Sequence, residues 1–321
     1  MDIISKAYKE EALLARIAWM YYVQGLTHQA ISDILNFSRT KVTRLLAKAK
    51  KQGIVEISIN RKYRVCFELE DELSSCFSLK DIVIVPSGKD EEDSRAGVGI
   101  ACARYLESFL TNGDVIGCAW GRSLFHVGNA LREENDKQIT VVQLMGGLSA
   151  GGNINPQRIM EVIASKLNAK GVWLNSPAVV ESVEVRNALV NDEMIRGALQ
   201  KGRSCSKALL GIGDVTDRAS LLVARSITIG ELQELRKLGA VGDILSYYYD
   251  INGKQVKSII TERIISLSLD DLKKIPLRIG ITSGPGKAPA IVGALRGGYI
   301  NVLFTDERTA CEVMKATDES K

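Results

Sequence analysis

The 321-residue chain is 45% hydrophobic and 25% charged, an ordinary globular composition with enough length for two or three domains. It has no apolar run approaching the ~18 residues of a membrane span, and residues 1–11 lack the apolar core and cleavage site of a signal peptide, so a cytoplasmic protein is expected. Its charge is segregated: residues 1–64 hold 12 Lys/Arg against 5 Asp/Glu, and the remainder holds 30 against 33.

In residues 13–26, Leu14, Ile17, Ala18 and Tyr21 keep helical spacing until Gly25 supplies a stop. In residues 27–35, Thr27 suits an N-cap and Ala30, Ile31, Ile34 and Leu35 form an inner face. After a short turn at Asn36 and Phe37, Ser38 can cap a third helix. There Val42, Leu45, Leu46 and Ala49 follow the i, i+3, i+4, i+7 rule while Lys41, Arg44, Lys48 and Lys51 stripe another face. Within residues 36–64 nine basic residues face one acid, Glu56, a field that favours a polyanion such as nucleic acid or an anionic membrane surface.

Three short helices with brief turns predict a helix-turn-helix, whose last helix enters the major groove N-terminal end first. Ser38, Arg39, Thr40, Lys41, Thr43 and Arg44 supply hydrogen-bonding groups at that end, and Thr27 and Lys48 complete the expected contacts to double-stranded DNA. Arg can hold guanine through two hydrogen bonds, Thr and Ser can reach bases or phosphates, and Lys41 is assigned to phosphate. Residues 54–59 alternate apolar and polar as a half-buried strand does, so with residues 60–64 they predict a β wing. Residues 1–64 therefore read as a winged DNA-binding domain, with a helical protein-docking module as the competing reading. The acidic run 68–72 falls in a linker helix, residues 65–80.

From residue 81 the pattern changes. Short apolar runs at 81–86, 114–120, 139–145, 172–174, 207–213, 243–250, 277–283 and 300–306 alternate with amphipathic helical stretches such as 158–169 and 288–298. This predicts an α/β domain over residues 81–321 with a mostly parallel, doubly wound sheet. Several runs end in polar or glycine-rich turns, GRS (121–123), GGLSAGG (146–152), GIGD (211–214) and SGPGK (283–287), which suggests one crevice for phosphate or dense hydroxyl groups. No cofactor or metal is expected. The run GVGIAC (97–102) lacks the third glycine of a dinucleotide fingerprint, ITSGPGKA (281–288) lacks the leading glycine and Ser/Thr of a P-loop, and the six cysteines contain no CxxC pair and read as buried thiols.

A basic helix-turn-helix joined to WGRS (120–123), LMGG (144–147), GIG (211–213), GAVGDIL (239–245) and GPGKAPAIVGALRGGYINVLFTDE (284–307) resembles the SorC family of sugar-responsive bacterial transcriptional regulators, including its LsrR-like branch. The resemblance spans residues 10–316 and implies an effector domain related in fold to sugar-phosphate isomerases, binding a sugar, polyol or phosphorylated sugar, and assembly as homodimers or homotetramers. It places effector-binding residues at Gly121, Arg122 and Ser123 in the turn after the second strand, at Gly146 and Gly147 in a paired-glycine turn, at Asp243, and at Lys287 opening a helix. Asp243 is expected to be ionised and to accept from vicinal hydroxyls, and Lys287 to face a phosphate. The rival reading is a sugar-phosphate isomerase or deaminase with an accessory DNA-binding domain. The chain has only two histidines, His28 and His126, for neutral-pH proton transfer, which favours a non-enzymatic switch.

Overall fold

A computed structural model of the chain describes residues 2–57, 60–134, 136–148 and 155–318. The chain divides into two compact units, Met1–Asn60 and Arg61–Lys321.

The first unit holds α1 (Asp2–Tyr22), α2 (His28–Leu35) and α3 (Arg39–Lys51). Gly25, at φ 69°, turns the chain after α1. Thr27 Oγ1 accepts from the Ala30 N–H and Ser38 Oγ from the Lys41 N–H, each at 3.2 Å, so both expected N-caps form. Between them Asn36 takes the left-handed conformation, φ 53°, that ends α2. Leu14, Ile17, Ala18, Met20, Ile31, Val42, Leu46 and Ala49 close one small core.

Three expectations fail here. Tyr21 is 36% exposed, with its ring against those of Tyr22 and His28, and Ile34 is 59% exposed, because the two-turn α2 buries Ile31 and part of Leu35 and turns Ile34 outward. The wing is not formed by the described residues. Ile54 N–H bonds back to Ala49 O as α3 closes, and Ile54 and Val55 both pack on the helical core, so residues 54–57 do not adopt the alternating strand. Ser58 and Ile59 lie outside the described residues, and residues 61–64 are helical.

The second unit runs α4 (Arg61–Cys76), β1 (Asp81–Val85), α5 (Glu91–Ser108), β2 (Val115–Cys118), α6 (Arg122–Ala130), β3 (Thr140–Gln143), α7 (Pro156–Lys166) and β4 (Lys170–Val172). It continues with α8 (Val183–Asn191), α9 (Glu193–Arg203), β5 (Lys207–Leu210), β6 (Gly213–Asp214), α10 (Ser220–Val223), α11 (Ile229–Lys237), β7 (Gly242–Ile244) and β8 (Tyr247–Tyr249). It ends with α12 (Leu269–Lys274), β9 (Leu277–Ile281), α13 (Ala288–Arg296), β10 (Val302–Asp306) and α14 (Glu307–Asp318). The helix expected in the linker, residues 65–80, begins four residues earlier, at Arg61, and ends at Cys76, and it buries Cys66, Leu69 and Leu73 in the core of this unit.

Seven strands form one parallel sheet in the order β1-β10-β9-β5-β2-β3-β4. From β2 the chain moves out through β3 to β4, then returns to β5 on the other side of β2 and proceeds through β9 to β10. The direction reverses between β2 and β5. Val, Ile and Leu dominate the strands because helices cover the sheet and bury them.

The run 243–250 is not one strand of this sheet. It folds into the hairpin β7–β8, turned by Leu245 and Ser246 at φ 55° and 68°, the two left-handed residues that such a tight turn requires. Gly213 and Asp214 pair with β7, so the chain leaves the main sheet after Leu210 and enters a small antiparallel sheet of order β6-β7-β8. The expected buried thiols are found at Cys66, Cys102, Cys118 and Cys205, whereas Cys76 is exposed and Cys311 half-buried. Among the described residues no helix is long and apolar enough to cross a membrane, and no cluster of three His, Cys, Asp or Glu could hold a metal.

Candidate functional site

A cavity of about 270 Å³ opens outside the carboxyl ends of β2, β5 and β9, at the point where the strand order reverses. Three turns build it. After β2 come Trp120, Gly121, Arg122 and Ser123; after β5 come Gly211 to Asp214; after β9 come Thr282 to Pro285 and Lys287. A side chain at Gly211 would strike the Trp120 carbonyl, so glycine is what lets the first two turns meet. Gly121, at φ 144°, begins α6 without a capping side chain, which leaves the N–H groups of that helix's first turn uncapped by a side chain. Ser123 is buried behind this turn and Arg122 is exposed.

Lys287 Nζ lies 2.8 Å from Asp214 Oδ2 and donates to Ile212 O at 2.9 Å, so it ties the β9 turn to the β5 turn. Asp214 Oδ1 accepts from the Thr216 N–H at 3.0 Å and from the Thr216 hydroxyl. Burial pushes the Asp214 carboxyl up, but the Lys287 ammonium and the Thr216 bonds outweigh it and hold Asp214 below the usual carboxylate range. Across the cavity Arg95 is paired with Glu91 at 2.6 Å and Glu92 at 3.3 Å. Ser283 Oγ is buried and has no hydrogen-bond partner among the described residues. The lining thus offers hydroxyls, opposed charges and backbone donors, a set suited to a small, densely oxygenated ligand.

Asp243 stands behind this wall. It is 4% exposed, and its Oδ1 occupies the space a side chain on its register partner Gly213 would need. Burial drives its carboxyl up to about 7; the Lys287 charge pulls down, Asp214 pushes up, and a hydrogen bond from the Ser246 N–H pulls down. Desolvation thus opposes the ionised form of Asp243 expected from the sequence. Asp243 Oδ2 is buried without a partner among the described residues.

Of the effector residues expected from sequence, Gly121, Arg122, Ser123 and Lys287 line the cavity and Asp243 backs it. Gly146 and Gly147 do not line it. Gly147 exchanges backbone hydrogen bonds with Ser176 and Ala178, and a side chain at Gly146 would strike Pro177 O, so this pair permits a close crossing of two segments. Residues 149–154 of the same turn lie outside the described residues. Sequence reasoning missed Asp214, Thr216, Arg95 and Ser283. Asp214 was in reach, since it closes the GIGD turn; Arg95 was not, because nothing in its helical stretch marks it as facing a cavity.

In the first unit, Arg39, Thr40, Thr43 and Arg44 are exposed along the N-terminal half of α3. Lys41 lies over the Phe37 ring at 3.7 Å from its centroid, and Lys48 pairs with Glu10 of α1. Thr27 and Ser38 use their hydroxyl oxygens as caps. The arrangement is a capped helix with a cationic, hydroxylated outer face, suited to backbone and base contacts on duplex DNA.

Residues 61–315 match a family model described as "Putative sugar-binding domain". The chain is 34% identical over 315 residues to the transcriptional regulator LsrR of Escherichia coli strain K12, with 96% of each chain covered. It is 30% identical to the sorbitol operon regulator SorC from Klebsiella pneumoniae; the full-length crystal structure of that protein matches with a TM-score of 0.74 over 94% of this chain and 98% of the other. These likenesses span both units and the sheet that builds the cavity, and the chain belongs to the SorC family of transcriptional regulators carrying a sugar-binding domain.

Proposed function

We propose that the protein binds double-stranded operator DNA through α2 and α3, and that a sugar, polyol or phosphorylated sugar in the cavity sets its affinity for that DNA. The regulated genes are those of a carbohydrate-utilisation operon. The observation that carries the effector reading is the cavity at the reversal of strand order, where Lys287 and Asp214 cross-link two turns that a ligand would contact together. A ligand shifts a switch only by binding its two arrangements unequally, and an ion pair between two loops is a contact that ligand binding can exchange. Function in the cytoplasm as a homodimer or homotetramer is part of the proposal, since paired recognition helices address half-sites about 34 to 36 Å apart.

The names of the relatives favour regulation over catalysis. One observation favours the other reading: a buried carboxyl pushed up to about 7, as Asp243 is, has the property of a general acid or base. Thermal-shift screening of the full chain against sugars, polyols and their phosphates separates the two. The expected outcome is that at least one compound raises the melting temperature and is recovered chemically unchanged after incubation. Turnover of that compound would favour an isomerase or deaminase.

A further inference from the structure

The hydroxyl of Thr43 is held in a specific way. It lies 3.1 Å from Arg39 O one helical turn back and 3.0 Å from Nδ1 of His28, the first residue of α2. The His28 ring packs at 4.9 Å, centroid to centroid, on Tyr21 of α1, so all three helices of the unit fix its place. His28 is half-buried, and Thr43 is exposed beside Arg39, Thr40 and Arg44.

A threonine hydroxyl has one proton and two lone pairs. In a helix that proton goes to the carbonyl of residue i−4, here Arg39 O. The contact with His28 then requires the ring to carry hydrogen on Nδ1 and donate it. One lone pair of Thr43 is consumed, and what remains on this exposed side chain is the second lone pair and the methyl group.

We propose that His28 is a positioning residue of the nucleic-acid face, and that through it Thr43 reads a base edge as an acceptor with a methyl group and makes no phosphate contact. A phosphate oxygen only accepts, and Thr43 so held has no proton left to give. The groups that match it in the major groove are an exocyclic amino group of adenine or cytosine and the C5-methyl of thymine. The inference rests on the DNA-binding reading above and deepens it.

The experiment is selection of preferred sequences from a randomised duplex pool by the full chain, followed by salt titrations of binding to the selected duplex. His28→Ala, His28→Asn, Thr43→Ala and Arg44→Ala are compared with the unsubstituted protein. His28→Ala and Thr43→Ala are expected to lose, by about tenfold, the preference at one and the same base pair, with the salt slope unchanged. His28→Asn, which keeps a donor near the Nδ1 position, is expected to restore that preference. The proposal is overturned if both alanine variants weaken all duplexes evenly and flatten the slope of log K on log salt by about 0.9, the mark of a lost phosphate contact. It is equally overturned if their selected sequences match those of the unsubstituted protein. Thr43→Ala changes an exposed side chain, so it tests the base preference even where His28→Ala lowers the melting temperature. If the unsubstituted protein enriches no duplex, the DNA-binding reading falls and the proposal with it; if it does and Arg44→Ala weakens binding while His28→Ala and Thr43→Ala behave as the unsubstituted protein, the proposal falls and the DNA-binding reading stands.

Discussion

Gly213 and Asp243 face each other in the β6–β7 pairing, and the Asp243 carboxyl fills the space where a side chain on Gly213 would stand. The acid thereby reaches the cavity wall while staying buried, and the absence of a Cβ at position 213 is what allows it. Gly213→Ala must displace either the carboxyl or the strand. A loss of about 1 to 3 kcal/mol in stability is expected, from the usual cost of overpacking. Urea titration checks this, with the midpoint lowered and the slope preserved.

The burial of Asp243 makes stability depend on pH. Its carboxyl is raised to about 7 in the folded chain, from an unfolded value near 3.8, so between those values the native state holds the proton more tightly than the unfolded state does. This group therefore favours folding most below about pH 4, its contribution falls as pH rises toward 7, and it is flat above. Asp243→Asn removes the dependence. The expected result is that the stability of the Asp243→Asn variant relative to the unsubstituted chain is greater at pH 8 than at pH 5, measured by denaturant midpoints at both values. An equal difference at the two pH values would contradict the burial argument.

Lys287 and Asp214 make the opposite case. Asp214 is held below the usual carboxylate range, so its pairing stabilises the fold above that range and the contribution is lost as pH falls through its folded value. Lys287→Met leaves a half-buried carboxylate without its cation and is expected to cost about 1 to 3 kcal/mol at pH 7. Lys287→Met combined with Asp214→Asn should recover most of that loss, and a double-mutant cycle measures the coupling. On the effector side, Lys287→Ala is expected to abolish the response to a phosphorylated effector while sparing the response to a neutral sugar.

Arg44, exposed on α3, is expected to contribute to duplex binding and not to ligand binding. Arg44→Ala should weaken operator affinity and leave the thermal shift given by an effector unchanged. Unchanged operator affinity would remove Arg44 from the nucleic-acid face.

The parts of the molecule governed by local rules were legible in its sequence. Thr27 and Ser38 cap helices as their positions predict, and six of the eight apolar runs contain strands of the parallel sheet, because a strand covered on both faces must be apolar, while a seventh, 172–174, meets β4 only at Val172. The eighth, 243–250, misled because its continuous apolar character hides the turn: Leu245 and Ser246 are neither Gly nor Asn, yet both are left-handed. The wing was misread because the alternation at 54–59 is overridden where Ile54 and Val55 both join the helical core. Site residues followed the same division. Gly121, Ser123 and Lys287 sit in turns whose glycines mark them, whereas Arg95 reaches the cavity from the second turn of α5, and Ser283, though it opens the SGPGK turn, is set apart by the burial of its unpartnered hydroxyl. Gly146 and Gly147 carry the same glycine mark, and in their case it records a backbone crossing.

The central claim is that one chain couples occupancy of the β2–β5 cavity to its hold on DNA. The most direct measurement is fluorescence anisotropy of the full chain on a labelled duplex from its own promoter region, at fixed salt, with and without a sugar or sugar phosphate that raises its melting temperature. The account predicts a change in duplex affinity of at least about fivefold, the lower end of a typical coupling between sites, and its loss in Lys287→Ala for a phosphorylated ligand. Duplex affinity that stays constant while the cavity ligand saturates would contradict it.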